Sequence, residues 1–160
     1  MIIKLALLTK YDKDNKLVYS TNLNGLENII IKTDEIKLKQ ILVNLLSNSI
    51  KFTKVGSISL EVINIDNIIR FIVSDTGIGI NNKISENLFK LYVKNSSENN
   101  KLGSGLGLSI VYDITRKLGS EINFESNEGK GTKFWFDMKV DDNSICKTYQ
   151  DSSYDTQTIL

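Results

Sequence analysis

Three short stretches of this sequence carry polar side chains or glycines at positions that are chemically unusual for a plain core. They are NLLSNSIKFT at residues 44 to 53, DTGIGI at 75 to 80 and GSGLGL at 103 to 108. The first lies in a helical pattern, the second ends a strand pattern, and the third opens a helical pattern. Any fold for this chain must account for all three.

The composition is typical of one globular domain. The chain has 160 residues, of which 41% are hydrophobic and 24% charged, and its formal net charge is +1. This length can bury a core, and the absence of a basic excess argues against nucleic acid as a partner.

The apolar runs are far shorter than the roughly 20 residues that cross a bilayer. We expect no membrane contact by this segment. The single cysteine, Cys146, and the lack of a signal-peptide pattern favour the cytoplasm.

The periodicity predicts helices and strands in mixed order. A long helix is predicted over residues 34 to 52, capped by Thr33 or Asp34. Its core stripe consists of Leu38, Leu42, Leu45, Leu46 and Ser49, and its polar stripe of Gln40, Asn44, Asn48 and Lys51. Further helices are predicted at 2 to 13, 81 to 91 and 106 to 118. Strands are predicted near 17 to 21 and at 28 to 32, 57 to 64, 68 to 74, 121 to 126 and 132 to 140.

This order predicts an α+β fold. We expect a two-layer α/β sandwich in which helices cover one face of a mixed, mostly antiparallel sheet. Residues 95 to 101 (NSSENNK) are polar and precede the glycines, and residues 93 to 104 are predicted to form a flexible lid. Residues 141 to 160 are predicted to be a polar tail or linker.

The asparagines of the first stretch favour a magnesium site. Asn44 and Asn48 are one helical turn apart, so both amides project to the same side. Amide oxygens are hard ligands that suit Mg²⁺, and Lys51 adds a positive charge for phosphate one turn further on. A solvated helix face in an asparagine-rich chain is the alternative interpretation.

The second and third stretches favour a nucleotide. Asp75 ends a buried-looking strand, where its carboxylate can accept a hydrogen bond from an exocyclic amine such as that of adenine. The alternating glycines before residue 108 allow close backbone approach to phosphates at a helix start. A local turn capped by the aspartate, and simple flexibility of the glycines, are the alternatives. GSGLGLS lacks the third glycine of the dinucleotide fingerprint, and GKGT at 129 to 132 lacks the upstream glycine of a Walker A loop.

In this order and spacing, the stretches resemble the catalytic and ATP-binding domain of sensor histidine kinases. These belong to an ATPase superfamily with gyrase, mismatch-repair and heat-shock chaperone members. NLLSNSIKFT resembles the asparagine box, DTGIGI and GSGLGL the two glycine boxes, and LFKLY at 88 to 92 the phenylalanine box. GKGTKFWF also matches, so the resemblance covers residues 28 to 140. The chain departs from the family at Ser49, where alanine is usual, at Tyr92, where phenylalanine is usual, and in a lid without arginine that carries only Lys94 and Lys101.

The resemblance implies ATP and Mg²⁺ as cofactors and assigns roles to residues of each box. Asn48 would be the principal metal ligand with Asn44 beside it, and Lys51 would lie near phosphate, so these three are the implied catalytic residues. Asp75 would bind the adenine amine, supported by Thr132. The rest of the implied pocket and lid consists of Phe52, Gly77, Gly79, Ile80, Phe89, Tyr92, Gly103, Gly105, Leu106, Gly107 and Leu108.

The implied function is that of the catalytic half of a two-component histidine kinase. Residues 1 to 140 would bind ATP and Mg²⁺ and donate the γ-phosphate to a histidine, by positioning and electrostatics rather than by covalent catalysis. The chain contains no histidine, so the acceptor must lie on a separate dimerisation domain, expected to precede residue 1. A response regulator is the expected downstream partner, and the parent protein could carry a membrane anchor outside these residues.

Two alternatives remain at this point. A degenerate, non-catalytic module that senses nucleotide would suit a lid without arginine. A protein-serine kinase of the anti-sigma type would share the pocket. Relatives that hydrolyse ATP with water carry a glutamate base at position 44, and an amide cannot accept a proton at neutral pH. Asn44 and the KFT ending of the first stretch therefore favour the histidine-kinase branch.

Overall fold

The computed structural model describes residues 16–24, 26, 29–81, 85, 88–89, 106–140 and 145–147. The described residues form seven strands and two helices. The strands are β1 (Leu17–Asn22), β2 (Ile29–Ile31), β3 (Gly56–Ile65), β4 (Ile68–Asp75), β5 (Ile122–Asn127), β6 (Gly131–Lys139) and β7 (Ile145–Lys147). The helices are α1 (Glu35–Phe52) and α2 (Gly107–Lys117).

A five-stranded sheet in the order β1-β3-β4-β6-β5 forms one layer. The β1–β3 pair is parallel, and the other three pairs are antiparallel. The turn between β3 and β4 has Asp66 at φ 56°, a left-handed conformation that aspartate adopts more readily than most residues. The predicted mixed, mostly antiparallel sheet is confirmed.

The core lies between this sheet and the two helices. Along β3, β4 and β6 alternate side chains point inward, because successive residues of a strand face opposite sides of the sheet. The buried inward residues are Ile58, Leu60, Val62, Ile69, Phe71, Val73, Phe134, Phe136 and Met138. Helix α1 packs on β3 and β4, and α2 packs on β5 and on α1. The opposite face of the sheet carries polar pairs such as Arg70 and Asp137, joined at 2.7 Å.

Helix α1 fixes the position of the first stretch. Asp34 is its N-cap and accepts a hydrogen bond from the Lys37 N–H at 3.0 Å, which satisfies one of the unpaired donors of the first turn. The helix buries the stripe Leu38, Ile41, Leu42, Leu45, Leu46 and Ser49. Full burial of one such leucine contributes about 1.5–3 kcal/mol. This stripe therefore determines which way the polar stripe on the helix faces.

Most predicted elements agree with the structure within one or two residues. The helix predicted at 106 to 118 is α2, and Gly119 follows it with φ 71°, the conformation expected of a C-terminal glycine. The helix predicted at 2 to 13 and the lid at 93 to 104 lie outside the described residues, as does most of the helix predicted at 81 to 91.

One strand was not predicted from the sequence. Residues Ile145–Lys147 form β7, which pairs with β2 in an antiparallel two-stranded sheet, although they fall within the predicted tail. Two apolar residues in an otherwise polar segment gave too weak a signal for a strand of three residues. The division of the chain at residue 140 stays a prediction. No helix among the described residues is long and apolar enough to cross a membrane.

Candidate functional site

Two amides of α1 face the beginning of α2. Asn44 and Asn48 are both partly buried. A Cβ atom added to Gly107 would lie 3.4 Å from the Asn44 Oδ1 and 3.8 Å from the Asn48 Nδ2. Any side chain larger than a methyl group at position 107 would therefore fill the space beside the amides. The fold thus brings the first and third stretches together, although they are more than fifty residues apart in sequence.

The first turn of α2 is suited to an anion. Leu106 is its N-cap and makes no side-chain capping hydrogen bond, and the first turn contains no acidic residue. A helix start presents backbone N–H groups and the positive end of the helix dipole. Ser109 donates its hydroxyl back to the Leu106 carbonyl at 2.8 Å, which ties the turn together. Leu106 and Leu108 are partly buried, and Leu108 packs against the core.

Lys51 extends the polar stripe of α1 by one further turn. Its side chain is exposed, and its Nζ lies 4.6 Å from the ring centroid of the neighbouring Phe52, within the range of a cation–π contact. Phe52 itself is partly buried at the end of the helix. The sequence-predicted order of two amides and then a positive charge is thus present along one side of α1.

The Asp75 carboxylate is held by donors from two directions. The Ser49 hydroxyl of α1 donates to Oδ2 at 3.0 Å, and the backbone N–H of Gly77 donates to Oδ1 at 3.0 Å. Burial raises the pKa of Asp75, while the hydrogen bonds from Gly77 and Ser49 oppose that rise. The Asp75 carboxylate therefore caps the turn that follows it, as expected from the alternative of a local turn capped by the aspartate. It also joins the end of β4 to α1.

The turn after Asp75 lies directly against the end of α1. The Ile78 N–H donates to the Phe52 carbonyl at 3.1 Å. A Cβ atom on Gly77 would lie 2.4 Å from that carbonyl oxygen and 2.7 Å from the Thr53 Oγ1. Glycine is required at position 77 because no side chain fits between the turn and the helix end.

On its other side the same turn contacts the β5–β6 hairpin. Gly79 has φ 68°, and an added Cβ atom would lie 2.1 Å from the Asn127 carbonyl oxygen. The Gly129 N–H donates to the Ile78 carbonyl at 2.7 Å, and the Ile80 N–H donates to the Ser126 Oγ at 2.8 Å. The turn is therefore clamped between α1 and the hairpin, which fixes the backbone next to Asp75.

Thr132 lies beside Asp75 in the sheet. The two residues are directly paired between β4 and β6, and Thr132 is in turn paired with Ser126 on β5. The hydroxyls of Thr132 and Ser126 are 3.0 Å apart. Ser126 was not predicted as a site residue. Its alternation with Ile122 and Phe124 is the signal that could have identified it, because this alternation places the Ser126 hydroxyl on the inward face of β5.

Two other residues near Asp75 were not recognised as site residues. Ser49 was predicted as part of the core stripe, and it is buried there, but its hydroxyl also contacts the carboxylate. A serine within a stripe of leucines is the signal that could have found it. Thr53 is 3% exposed, and its Oγ1 makes no well-formed hydrogen bond. That hydroxyl is nevertheless near enough to Asp75 to favour the ionised carboxylate, so a hydroxyl lies buried and unsatisfied beside the carboxylate.

Phe89 joins the predicted phenylalanine box to α2 and β5. Its ring stacks on Tyr112 with centroids 5.7 Å apart and meets Phe124 edge-on at 5.8 Å. The predicted site residues Tyr92, Gly103 and Gly105 lie outside the described residues. The other predicted positions lie on α1, at the start of α2, at the end of β4 and in the turn after it, and on β6.

The arrangement has two chemically distinct ends. At one end, a carboxylate and a buried hydroxyl suit a ligand that donates and accepts hydrogen bonds, such as a purine base. At the other end, two amide oxygens, a lysine and the start of α2, whose N-cap residue makes no side-chain capping hydrogen bond, suit a metal-bound phosphate. The amide donor set fits Mg²⁺, which takes few protein ligands and keeps waters and phosphate oxygens as the rest.

The sequence matches a known protein family and is similar to sensor kinases. Residues 33–142 match the family of histidine kinase-, DNA gyrase B- and HSP90-like ATPases. The chain is 35% identical over 150 residues to the autoinducer 2 sensor kinase/phosphatase LuxQ of Vibrio parahaemolyticus, which covers 89% of this chain and 17% of LuxQ. It is 39% identical over 114 residues to the sensor histidine kinase GacS of Pseudomonas protegens, which covers 67% of this chain and 12% of GacS. The chain thus spans less than a fifth of either relative.

Solved structures agree with the fold. Full-length ShkA in complex with AMPPNP superimposes with a TM-score of 0.70 at 27% identity, over 89% of this chain and 28% of ShkA. The catalytic domain of histidine kinase ThkA superimposes with a TM-score of 0.71 at 24% identity, over 84% of this chain and 88% of that domain. The predicted two-layer fold is confirmed by these likenesses.

Proposed function

Because the chain belongs to the histidine kinase-, DNA gyrase B- and HSP90-like ATPase family, we propose that it is the catalytic ATP-binding domain of a two-component histidine kinase. It binds ATP with Mg²⁺ and donates the γ-phosphate to a histidine on a separate dimerisation domain or chain. The observation that supports this most directly is the position of the Asn44 and Asn48 amides beside Gly107 in the first turn of α2, at the phosphate end of a site whose other end holds Asp75.

At the base end, Asp75 accepts a hydrogen bond from the exocyclic amine of adenine. Each carboxylate oxygen already accepts one protein donor and keeps a lone pair for the ligand. The glycines at 77 and 79 let the turn pack closely against α1 and the β5–β6 hairpin, and Thr132 supports the carboxylate from β6. The clamped turn holds this arrangement before the ligand arrives, which lowers the entropy cost of binding.

At the phosphate end, Asn48 and Asn44 would hold Mg²⁺ through their amide oxygens, and Lys51 would approach a phosphate oxygen. When bound, the metal neutralises charge on the phosphates and orients the γ-phosphate. The N–H groups at the start of α2 add fixed positive potential for the same phosphates. These residues therefore bind and orient, and the protein supplies no covalent step.

Transfer to an acceptor is favoured over hydrolysis by water. Asn44 occupies the position from which a glutamate base would activate water, and its amide cannot take a proton at neutral pH. The chain has no histidine, so the acceptor lies on another segment. We further propose that the domain acts in the cytoplasm and that a response regulator receives the phosphate from the acceptor. The LuxQ and GacS relatives, which are sensor kinases much longer than this chain, support that arrangement.

A non-catalytic nucleotide-sensing module remains the second candidate. The lid sequence carries lysines at 94 and 101 and no arginine, which would weaken its hold on phosphate. An anti-sigma-type serine kinase is a weaker third candidate, because LuxQ and GacS, which share more than a third of their matched residues with this chain, are both sensor kinases.

A phosphotransfer assay tests the proposal. The chain is incubated with radiolabelled ATP, Mg²⁺ and a purified dimerisation domain of a LuxQ-type kinase, and acid-labile label on that domain is measured. The proposal predicts label that requires both the chain and the acceptor histidine. Saturable ATP binding without any transfer to dimerisation domains from several such kinases would instead favour the sensing module.

A further inference from the structure

Ser49 is buried in the core stripe of α1 and yet has a polar partner in the site. Its side chain is 2% exposed, and its hydroxyl donates to the Asp75 Oδ2 at 3.0 Å. The second carboxylate oxygen, Oδ1, accepts from the Gly77 N–H at 3.0 Å. The two donors come from different elements and bind different oxygens. Together they fix both the side-chain torsion and the plane of the carboxylate.

The groups around Asp75 are neutral. Its two hydrogen bonds come from the Gly77 N–H and the Ser49 hydroxyl, and the nearby Thr132 N–H and Thr53 hydroxyl also favour its ionised form. Burial has the largest effect on the pKa of Asp75, and these neutral donors have the next largest. Because burial disfavours the charged form, the carboxylate depends on these few hydrogen bonds to remain ionised when a ligand covers it.

We propose that Ser49 is a positioning residue for base selection: its hydroxyl orients the Asp75 carboxylate, so that the site prefers a purine with an amine over one with a carbonyl at the same ring position. This inference rests on the proposed function. An ionised carboxylate accepts from the adenine amine and repels the guanine carbonyl oxygen. A protonated carboxyl group could instead donate to that oxygen.

The test measures ATP and GTP affinity across pH in the purified chain. Ser49→Ala removes the donor, and Ser49→Cys replaces it with a weak donor of similar size. We expect each variant to lose about 10-fold in ATP affinity at neutral pH, the scale of one hydrogen bond to a charged group. GTP affinity should stay the same or rise. Loss of the donor also raises the pKa of Asp75 further, so the fall in ATP affinity on acidification should begin at a higher pH.

Ser47→Ala is the matched control. Ser47 lies on the same helix and is partly buried, but its hydroxyl donates to the Asn44 backbone carbonyl at 3.1 Å rather than to Asp75. This variant should keep the wild-type ratio of ATP to GTP affinity and the wild-type pH dependence. A purely structural role for Ser49 would lower both affinities equally and leave the pH dependence in place, and that result would overturn the inference.

The same experiment separates this inference from the proposed function. If wild-type protein binds no ATP, the proposed function fails and the inference fails with it. If wild-type protein binds ATP and Asp75→Asn loses it, the site is correct. Unchanged nucleotide preference and pH dependence in both Ser49 variants would then refute the role of Ser49 alone.

Discussion

Substitution of Gly79 by alanine should destabilise the protein far more than substitution of Gly129 by alanine. The two glycines have similar backbone conformations, with φ 68° at Gly79 and φ 77° at Gly129. In both cases alanine in the left-handed region costs roughly 1–2 kcal/mol. Their surroundings differ. An added Cβ atom at Gly129 has nothing within 4 Å, whereas at Gly79 it would lie 2.1 Å from the Asn127 carbonyl oxygen.

The expected difference follows from the contacts of the turn. Real Cβ atoms essentially never approach within 3.0 Å, so Gly79→Ala must move the turn away from Asn127 by about 0.9 Å, the difference between 3.0 and 2.1 Å. That shift breaks or weakens the Gly129–Ile78 and Ile80–Ser126 hydrogen bonds, now 2.7 and 2.8 Å long. Each contributes about 0.5–1.5 kcal/mol, so the total for Gly79→Ala is roughly 2–5 kcal/mol.

Urea unfolding of the two variants and the wild type measures this difference. Gly129→Ala should lower the free energy of unfolding by about 1–2 kcal/mol and leave ATP affinity unchanged. Gly79→Ala should lower it by about 1–3 kcal/mol more, from the two hydrogen bonds, and should also weaken ATP binding because Asp75 loses its fixed neighbour. Equal losses of stability in the two variants would refute the argument that the turn and the hairpin are in forced contact.

Further predictions concern the two ends of the site. Asn48→Ala should lower the affinity for ATP in the presence of Mg²⁺ by at least about 10-fold and have little effect without it, since it removes a metal ligand. Asn123→Ala, on the exposed side of β5, is the control and should change neither titration. Asp75 should contribute to the pH dependence of stability with the sign opposite to that of a carboxylate whose pKa is lowered by folding. Burial raises its pKa above the ordinary value of 3.8, so the folded state binds the proton more tightly than the unfolded state does. As the pH falls through the raised pKa towards 3.8, this group should increase the free energy of unfolding while ATP affinity decreases. In urea unfolding at several pH values, Asp75→Asn should lack that increase, and identical pH profiles would refute the burial argument.

Sequence patterns predicted the long elements of this fold because burial and periodicity agree in them. Helix α1 combines a capping aspartate with a leucine stripe, and the β5–β6 hairpin combines alternation with a glycine-containing turn. The pairing of β1 with β3 in parallel was outside the reach of such patterns, because the choice of a strand partner depends on tertiary packing. Strand β7 was missed since three residues carry too little periodic signal.

The site was predicted in the same uneven way. Asp75, Gly77 and Gly79 stood out because their residue types are unusual after an apolar strand. Ser49 and Ser126 did not stand out, since a serine on an inward face has a role only when its partner across the fold is known. The register of β4, β6 and β5 supplies that partner for Ser126, and the packing of α1 on β4 supplies it for Ser49.

Calorimetric titration of the chain with ATP, with and without Mg²⁺, tests the central claim most directly. The account predicts saturable binding that Mg²⁺ strengthens, with little hydrolysis, and loss of that binding in Asp75→Asn. Absence of saturable binding, or equal binding by Asp75→Asn, would contradict the claim that the three stretches form a nucleotide site.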